Sequence, residues 1–296
     1  MVLVSRSTAE RGHAPARWPR LATATSEGGN CPIRVGIVNI MPRAQAYEPY
    51  LLRPLERTLL LVEPVWIRLA SHEYASSDLS RIRDSYVTFE EALSTGRLDA
   101  LVLTGAPVEE LPFEQVHYWA ELCEILQFCS RRVPSTLGLC WGGLALAKQL
   151  GLEKITFPKK LFGVFENRYL VEDHVITGGS DDGFWCAQSR HSGVADRELE
   201  QARDSGVVSL LSHGPDTGYT LFESSDQRFV MHLGHPEYEA DRLVHEWRRD
   251  SSLGRGDVEP PRNFDPEQPR NVWRAHCNEL FSQWLRLVAE RRVGVP

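Results

Sequence analysis

Two short stretches of this chain place reactive side chains where covalent chemistry needs them. Thr136-Leu137-Gly138-Leu139-Cys140-Trp141-Gly142-Gly143 has the form Gly-x-Cys-x-Gly at the point where an apolar strand runs into a helix. The flanking glycines permit the tight turn that carries a nucleophile at its tip. A thiol there meets the positive end of the helix dipole, which favours the thiolate. The backbone N–H of Trp141 points to the same side and is a donor for a developing oxyanion. A cysteine nucleophile needs a base, and the base needs an orienting group. Met231-His232-Leu233-Gly234-His235-Pro236-Glu237, about 95 residues downstream, supplies both. Read as the end of a strand, this segment puts His235 and Glu237 on one face, so that Glu237 reaches the imidazole nitrogen turned away from the thiol. His232 competes for the role of base, but its alternation places it with the core. A buried cysteine in a Gly-rich turn is the bland alternative for Cys140; the paired histidine and acid favour the nucleophile. Cys31, Cys123, Cys129, Cys186 and Cys277 lack such an elbow and read as apolar filler or surface thiols.

The elements around these stretches alternate. Residues 33–40 are β-branched and apolar between Pro32 and Pro42, a buried strand. Leucines at 51, 52, 55 and 59 give a helix over 48–61. Strands follow at 62–69 and 99–105, a helix at 114–131, a strand at 135–140 and a helix from 142 to 150. This is the signature of an α/β fold with a mostly parallel sheet flanked by helices. The second half is richer in strands, near 162–171, 207–212, 218–223 and 228–234, with helices near 237–250 and 272–292 and a Pro- and Asp-rich loop between them. No internal linker is long enough to divide residues 31–296, which read as a single domain. Residues 1–30 carry no periodic apolar pattern and read as a flexible arm, with an Arg-rich targeting peptide as the alternative.

The chain is 296 residues long, 42% apolar and 25% charged, enough for a sizeable core without staples. The formal net charge of −7 speaks against a general nucleic-acid binder. Six irregularly spaced cysteines with no Cys-x-x-Cys pair give neither a zinc motif nor a disulfide scaffold, so no metal is expected and the protein reads as cytoplasmic. There is no apolar run long enough to span a membrane.

The order Gly-x-Cys-x-Gly, then His-x-Glu, is that of class I glutamine amidotransferases and suggests acyl transfer through a thioester. A closer resemblance rests on separated blocks from about residue 33 to 288. They are Asn39-Ile40-Met41-Pro42, Thr104-Gly105-Ala106-Pro107, Tyr118-Trp119, Ser135-Thr136-Leu137 leading into Cys140-Trp141, Lys160-Leu161-Phe162-Gly163-Val164, Asp181-Asp182, Ser189-Arg190, Gly234-His235-Pro236-Glu237-Tyr238, Arg249-Asp250, and Trp273-Arg274-Ala275-His276 with Asn278 and Phe281. On these the chain resembles the homoserine O-acyltransferases of methionine biosynthesis, the homoserine O-succinyltransferase family. The resemblance implies an amidotransferase-like fold and acyl transfer from an acyl-CoA co-substrate, with no bound cofactor, to the side-chain hydroxyl of homoserine. It implies Cys140 as the acylated residue, His235 as general base and Glu237 as its orienting acid. Lys160, Ser189 and Arg249 match positions that contact the amino acid; Arg249 is suited to clamp a carboxylate in bidentate fashion, and Glu246, one helical turn earlier, to meet the ammonium. A second oxyanion donor is expected from the Gly105–Ala106 turn. A homodimer is also implied.

The position after Thr-Gly-Ala-Pro-x bears on the donor: the family carries a small residue there in succinyl-CoA users and Glu in acetyl-CoA users. Here it is Glu109, whose carboxylate would repel a succinyl tail and fill its space; acetyl-CoA is therefore expected. The chain departs from the family at Arg43-Ala44, at Ala187-Gln188 and at His191, all expected around the hydroxyl substrate. Serine or another hydroxy amino acid thus stays open as acceptor, succinyl-CoA as donor, and glutamine amidotransfer as reaction.

Overall fold

The computed structural model describes residues 31–292; the arm expected at 1–30 lies outside the described residues. Its centre is one nine-stranded sheet in the order β2-β1-β3-β4-β9-β8-β7-β5-β6. Five neighbours are parallel: β2 (Val62–Ile67), β1 (Ile33–Val38), β3 (Ala100–Leu103), β4 (Ser135–Leu139) and β9 (Phe229–His232). The other four, β8 (Gly218–Ser224), β7 (Val208–Gly214), β5 (Lys154–Tyr169) and β6 (Gly183–Val194), extend it antiparallel. All four residues of β3 and all five of β4 are buried, as strands covered on both faces must be.

Helices provide that cover. On one face α1 (Ala44–Arg57) and α8 (Arg274–Arg292) bring Leu51, Leu55, Phe281 and Trp284 onto Val35, Ile37 and Leu137. Trp284 also donates its indole N–H to Ser135 Oγ at 3.1 Å, which ties α8 to the start of β4. On the other face α4 (Trp119–Arg132), α5 (Trp141–Gln149) and α6 (Asp196–Asp204) pack Leu122, Leu144 and Leu199 in the core that includes Leu101, Leu103 and Met231. Short helices α2 (Leu79–Ser85) and α3 (Phe89–Ser94) lie between β2 and β3, and α7 (Ala240–Ser252) follows β9.

Five of these elements depart from the sequence reading. The first helix begins at Ala44 and tolerates Pro49 and Pro54 within it. The short helices α2 and α3 and the pair β6–α6 carry no apolar period that predicts them. In β6 the reason is functional: Gln188, Ser189, Arg190, His191 and Ser192 are buried polar residues in succession, so the strand lacks both the alternation and the continuous apolar run by which strands are recognised. The parallel strands end together at one edge of the sheet, where open α/β sheets place their ligands, and the loops there carry Met41, Ala106, Cys140 and His235.

Candidate active site

Cys140 sits between β4 and α5 with φ 50° and ψ −114°. A left-handed φ on a non-glycine residue costs on the order of 1–3 kcal/mol and is kept only where its surroundings enforce it. Here they do. A Cβ on Gly138 would fall 2.5 Å from the Gly142 carbonyl oxygen, and one on Gly142 would fall 2.3 Å from that of Leu103. The elbow therefore closes only with glycine at both positions. The Cys140 N–H is held by the His232 carbonyl at 2.8 Å, and the thiol lies at the N-terminus of α5.

His235 faces it. A Cβ built on Gly105 would lie 3.5 Å from both Cys140 Cβ and His235 Cε1, so these two residues and the Gly105 backbone enclose one small volume. His235 Nδ1 is 2.7 Å from Glu237 Oε1. A carboxylate can only accept, so Nδ1 carries the proton and Nε2 is left for the thiol. Burial opposes charge on His235. The negative charge of Cys140 and Glu237, with hydrogen bonds to both, outweighs it and holds the imidazole pKa well above its ordinary value. The charged form of the imidazole is thereby favoured.

The pairing of His235 with Glu237 is as expected, but not for the expected reason. The strand stops at His232, and the chain then turns, closed by a Tyr238 N–H to His235 carbonyl bond of 3.3 Å. Glu237 folds back under the imidazole through this turn rather than by strand alternation. Two residues that sequence reasoning missed complete the support. Tyr47, buried in α1, donates its hydroxyl to Glu237 Oε1. The Tyr238 ring stacks on His235 with centroids 3.9 Å apart. Tyr47 gave no signal, since with Leu51 and Leu55 it reads as one more apolar residue on a helix face.

A cavity of about 120 Å³ opens in front of the thiol and is lined by Ala106, Glu109, Lys160, Ser189, Glu246 and Arg249 among others. Every expected substrate-side residue is therefore in one place. Trp141 lies behind it, fully buried with its ring against Phe113, Tyr118 and Trp119; its amide belongs to the first residue of α5. Of the departures noted from sequence, His191 lines the cavity, whereas Arg43 and Ala44 do not. Ala44 starts α1 and is packed with Tyr74, Ile82 and Tyr86 instead. Gln188 lies beneath the cavity, accepting from Arg190 at 2.9 Å.

The charged side chains are tied to one another. Lys160 is 2.8 Å from Asp250 and 3.6 Å from Glu246. Glu246 also takes hydrogen bonds from Ser189 and from Tyr238 at 3.0 Å, and pairs with Arg242 at 3.2 Å. Burial would push the Glu246 carboxyl up, but Lys160, then Arg242 and His235, with the Ser189 bond, bring it down to about 2. Arg249 stands half exposed at the rim with its guanidinium on Asp250 at 2.7 Å. Asp250 and Arg242 were not expected site residues from the sequence; they follow from the same helix as Glu246 and Arg249. On the opposite wall Glu109 lies 3.2 Å from His191 Nδ1, and His191 Nε2 is 2.9 Å from Asp257. Burial opposes protonation of His191, but the hydrogen bond and charge of Glu109, with Asp257, raise its pKa.

The sequence profile described as homoserine O-succinyltransferase matches residues 22–293. The chain belongs to this family. It is 38% identical to the homoserine O-acetyltransferase of Petrotoga mobilis, over 86% of this chain and 82% of that protein. It is 37% identical to that of Geobacillus kaustophilus (86% and 84%) and 35% identical to that of Bacillus subtilis (86% and 84%). Among solved structures, a glutamine amidotransferase from Thermotoga maritima superposes with a TM-score of 0.55 at 14% identity, covering 90% of this chain and all of the other. The glutaminase domain of Trypanosoma brucei CTPS, with bound acivicin, gives 0.54 at 11% identity, covering 87% and 94%. These likenesses bear on the fold alone, which is the amidotransferase-like α/β fold expected from the sequence. As a family member the chain is an acyltransferase. Among the described residues no helix is long and apolar enough to cross a membrane.

Proposed function

We propose that this family member acylates the side-chain hydroxyl of homoserine from acetyl-CoA, by a ping-pong route through a thioester on Cys140. The observation that carries the reading is Cys140 at a strained elbow beside His235, whose Nδ1 is held by Glu237, in front of a cavity rich in paired charges. The Cys140 thiolate attacks the thioester carbonyl carbon. The N–H groups of Trp141 and Ala106 take the oxyanion. Collapse expels the CoA thiolate, which leaves as CoA with the proton of His235. Homoserine then enters with its carboxylate toward Arg249 and its ammonium toward Glu246. Neutral His235 accepts the hydroxyl proton as oxygen attacks the acetyl carbon. Cys140 departs as thiolate, and the imidazolium, steadied by Glu237, is restored.

Glu109 supports acetyl over succinyl. One of its carboxylate oxygens is engaged by His191; the other, Oε2, is buried with no hydrogen-bond partner. A succinyl tail reaching this wall would bring a second carboxylate against that oxygen, and like-charge juxtaposition costs several kcal/mol. His191, whose pKa is raised, reduces the repulsion to the extent that it carries a proton, and it is shared with Asp257. The test is competition between acetyl-CoA and succinyl-CoA, read by CoA release, with homoserine and serine as parallel acceptors. A higher kcat/KM for succinyl-CoA refutes the donor assignment, and a higher one for serine refutes the acceptor. Glu109→Gly should raise succinyl-CoA use by at least about tenfold, equivalent to 1.4 kcal/mol. The fold likeness to glutamine amidotransferases is met by a glutaminase assay, for which no turnover is expected.

A further inference from the structure

Beneath the catalytic turn lies a pair of buried imidazoles that this chemistry leaves unused. His232 ends β9 and His276 stands in the first turns of α8; their Nε2 atoms are 3.0 Å apart. With Cys186 they form a buried trio whose ligating atoms all lie within 4.8 Å of one another, the composition of a metal site. The hydrogen-bond directions favour a different use. The Gly234 N–H points at His232 Nδ1 at 3.1 Å. An amide can only donate, so Nδ1 accepts and the ring carries its proton on Nε2, where it is unavailable as a ligand. That proton is donated to His276 Nε2, which places the proton of His276 on Nδ1, 3.0 Å from the Tyr169 hydroxyl. The Cys186 thiol is itself turned onto the Ala187 carbonyl at 3.5 Å. Burial lowers the pKa of His232 to about 4, and burial together with His232 takes that of His276 well below its ordinary value. Both rings are therefore neutral, and Phe184 stacks on His276 at 3.7 Å to fix its plane. A chain with a single direction runs from Gly234 through His232 and His276 to Tyr169.

The far end of this chain is one residue from the base. Gly234 is closely packed on its Cα side: a Cβ there would lie 2.5 Å from Gln188 Nε2 and 3.0 Å from the Ala187 carbonyl oxygen. The next amide, of His235, is bound to that same carbonyl at 2.8 Å. The geometry points to His276 as a positioning residue: by fixing the tautomer of His232 it holds the Gly234 amide, and so aims His235 at Cys140. Without His276 the His232 ring is free to move its proton to Nδ1, where it would face the Gly234 N–H donor to donor. The inference rests on the assignment of Cys140 and His235 as the reacting pair.

The test uses the full chain with two substitutions at His276. His276→Phe keeps a flat ring on Phe184 and removes the acceptor, whereas His276→Gln restores one near the Nε2 position. Misaiming a catalytic group by about 1 Å costs on the order of a hundredfold. His276→Phe should accordingly lower kcat about 10- to 100-fold while the KM for acetyl-CoA changes less than about twofold, and His276→Gln should recover most of the loss. Nitrogen-15 NMR of the wild-type imidazoles should show His232 protonated on Nε2, His276 on Nδ1, and both neutral at pH 7. A folded His276→Phe protein with unchanged kcat, or NMR showing the proton of His232 on Nδ1, overturns the proposal. If His276→Phe does not fold, Tyr169→Phe decides: it removes the final acceptor, and kcat should fall by several-fold with KM unmoved; an unchanged kcat counts against the proposal. Turnover surviving in His235→Asn would instead sink the assignment of the base, and would do so whatever tautomers the NMR records.

Discussion

Lys160 is the most informative single perturbation outside the reacting pair. Its ammonium is buried between Asp250 at 2.8 Å and Glu246 at 3.6 Å, over the Phe162 ring at 4.5 Å. Lys160→Met keeps the apolar stem and removes the charge. The Glu246 carboxyl is held at about 2 against 4.5 for a free glutamate, with Lys160 the largest of the attractive causes. At about 1.4 kcal/mol per pH unit, that depression stabilises the anion in the folded state by on the order of 3 kcal/mol. Because the folded pKa lies below the unfolded one, the contribution is complete above about pH 4.5 and disappears as pH falls through about 2. Removing one partner of a buried pair costs about 3–5 kcal/mol through the charge left behind, so the variant should be destabilised by about that amount at pH 7. Urea unfolding from pH 7 downward measures it. The gap between wild type and variant should narrow as pH drops below about 4.5, because protonated carboxyls no longer need the ammonium. A gap of the same size at pH 7 and pH 3, or one under about 1 kcal/mol at pH 7, would show that Lys160 acts by packing alone and refute the electrostatic account.

Other expectations are simpler. Tyr47→Phe removes a hydroxyl from a buried carboxylate whose other oxygen already lacks a partner; stability should fall by about 1.5–3 kcal/mol in denaturant unfolding, with kcat reduced, and an unchanged midpoint would contradict the bond. Glu237→Gln should lower kcat by about 10³–10⁴ with the fold intact, as for loss of the acid of a triad; a change under tenfold would remove Glu237 from the orienting role. Brief iodoacetamide treatment of the folded protein at pH 7, followed by mass mapping, should modify Cys140 and the exposed Cys31. Cys129, Cys186 and Cys277, whose thiol pKa values burial pushes up, should react only after unfolding.

What was legible in the sequence depended on how local its cause was. The elbow was legible because Gly138 and Gly142 are there for contacts within a few residues or to the adjoining strand, and because a helix follows at once. The parallel half of the sheet was legible because β1, β3 and β4 are buried on both faces and show it as unbroken apolar runs. The antiparallel half was partly hidden, above all β6, where the buried run from Gln188 to Ser192 is polar and faces the cavity or the layer beneath it. The His235–Glu237 pair was found through a strand geometry that the chain does not adopt; proximity of two residues in a row of seven survives a wrong local conformation. Tyr47 and Asp250 were out of reach for opposite reasons. Tyr47 is 190 residues from the acid it serves and looks like core, while Asp250 looks like surface charge until Lys160 is brought onto it from β5.

The charges around the cavity carry a consequence for the substrates that no single residue does. The lining includes four carboxylates, Glu109, Glu110, Glu246 and Asp250, and four permanent cations, Lys160, Arg242, Arg249 and Arg255. Nearly all are paired at 3.6 Å or less: Lys160 with Asp250 and Glu246, Arg242 with Glu246, Arg249 with Asp250, Arg255 with Glu110. A zwitterionic amino acid can enter such a site by exchanging partners, its carboxylate relieving Asp250 of Arg249 and its ammonium sharing Glu246 with Lys160, and the sum of charge is unchanged. An acetyl group on Cys140 leaves it unchanged as well. A succinyl group adds one negative charge beside a carboxylate oxygen with no donor of its own, and the cost of an unpaired charge then falls on the acyl-enzyme. On the proposed reading, charge balance and Glu109 favour the same donor for separate reasons. Substituting Glu109 alone should widen donor use without inverting it; full inversion should require a new cation at that wall as well, which Glu109→Lys beside His191 would supply.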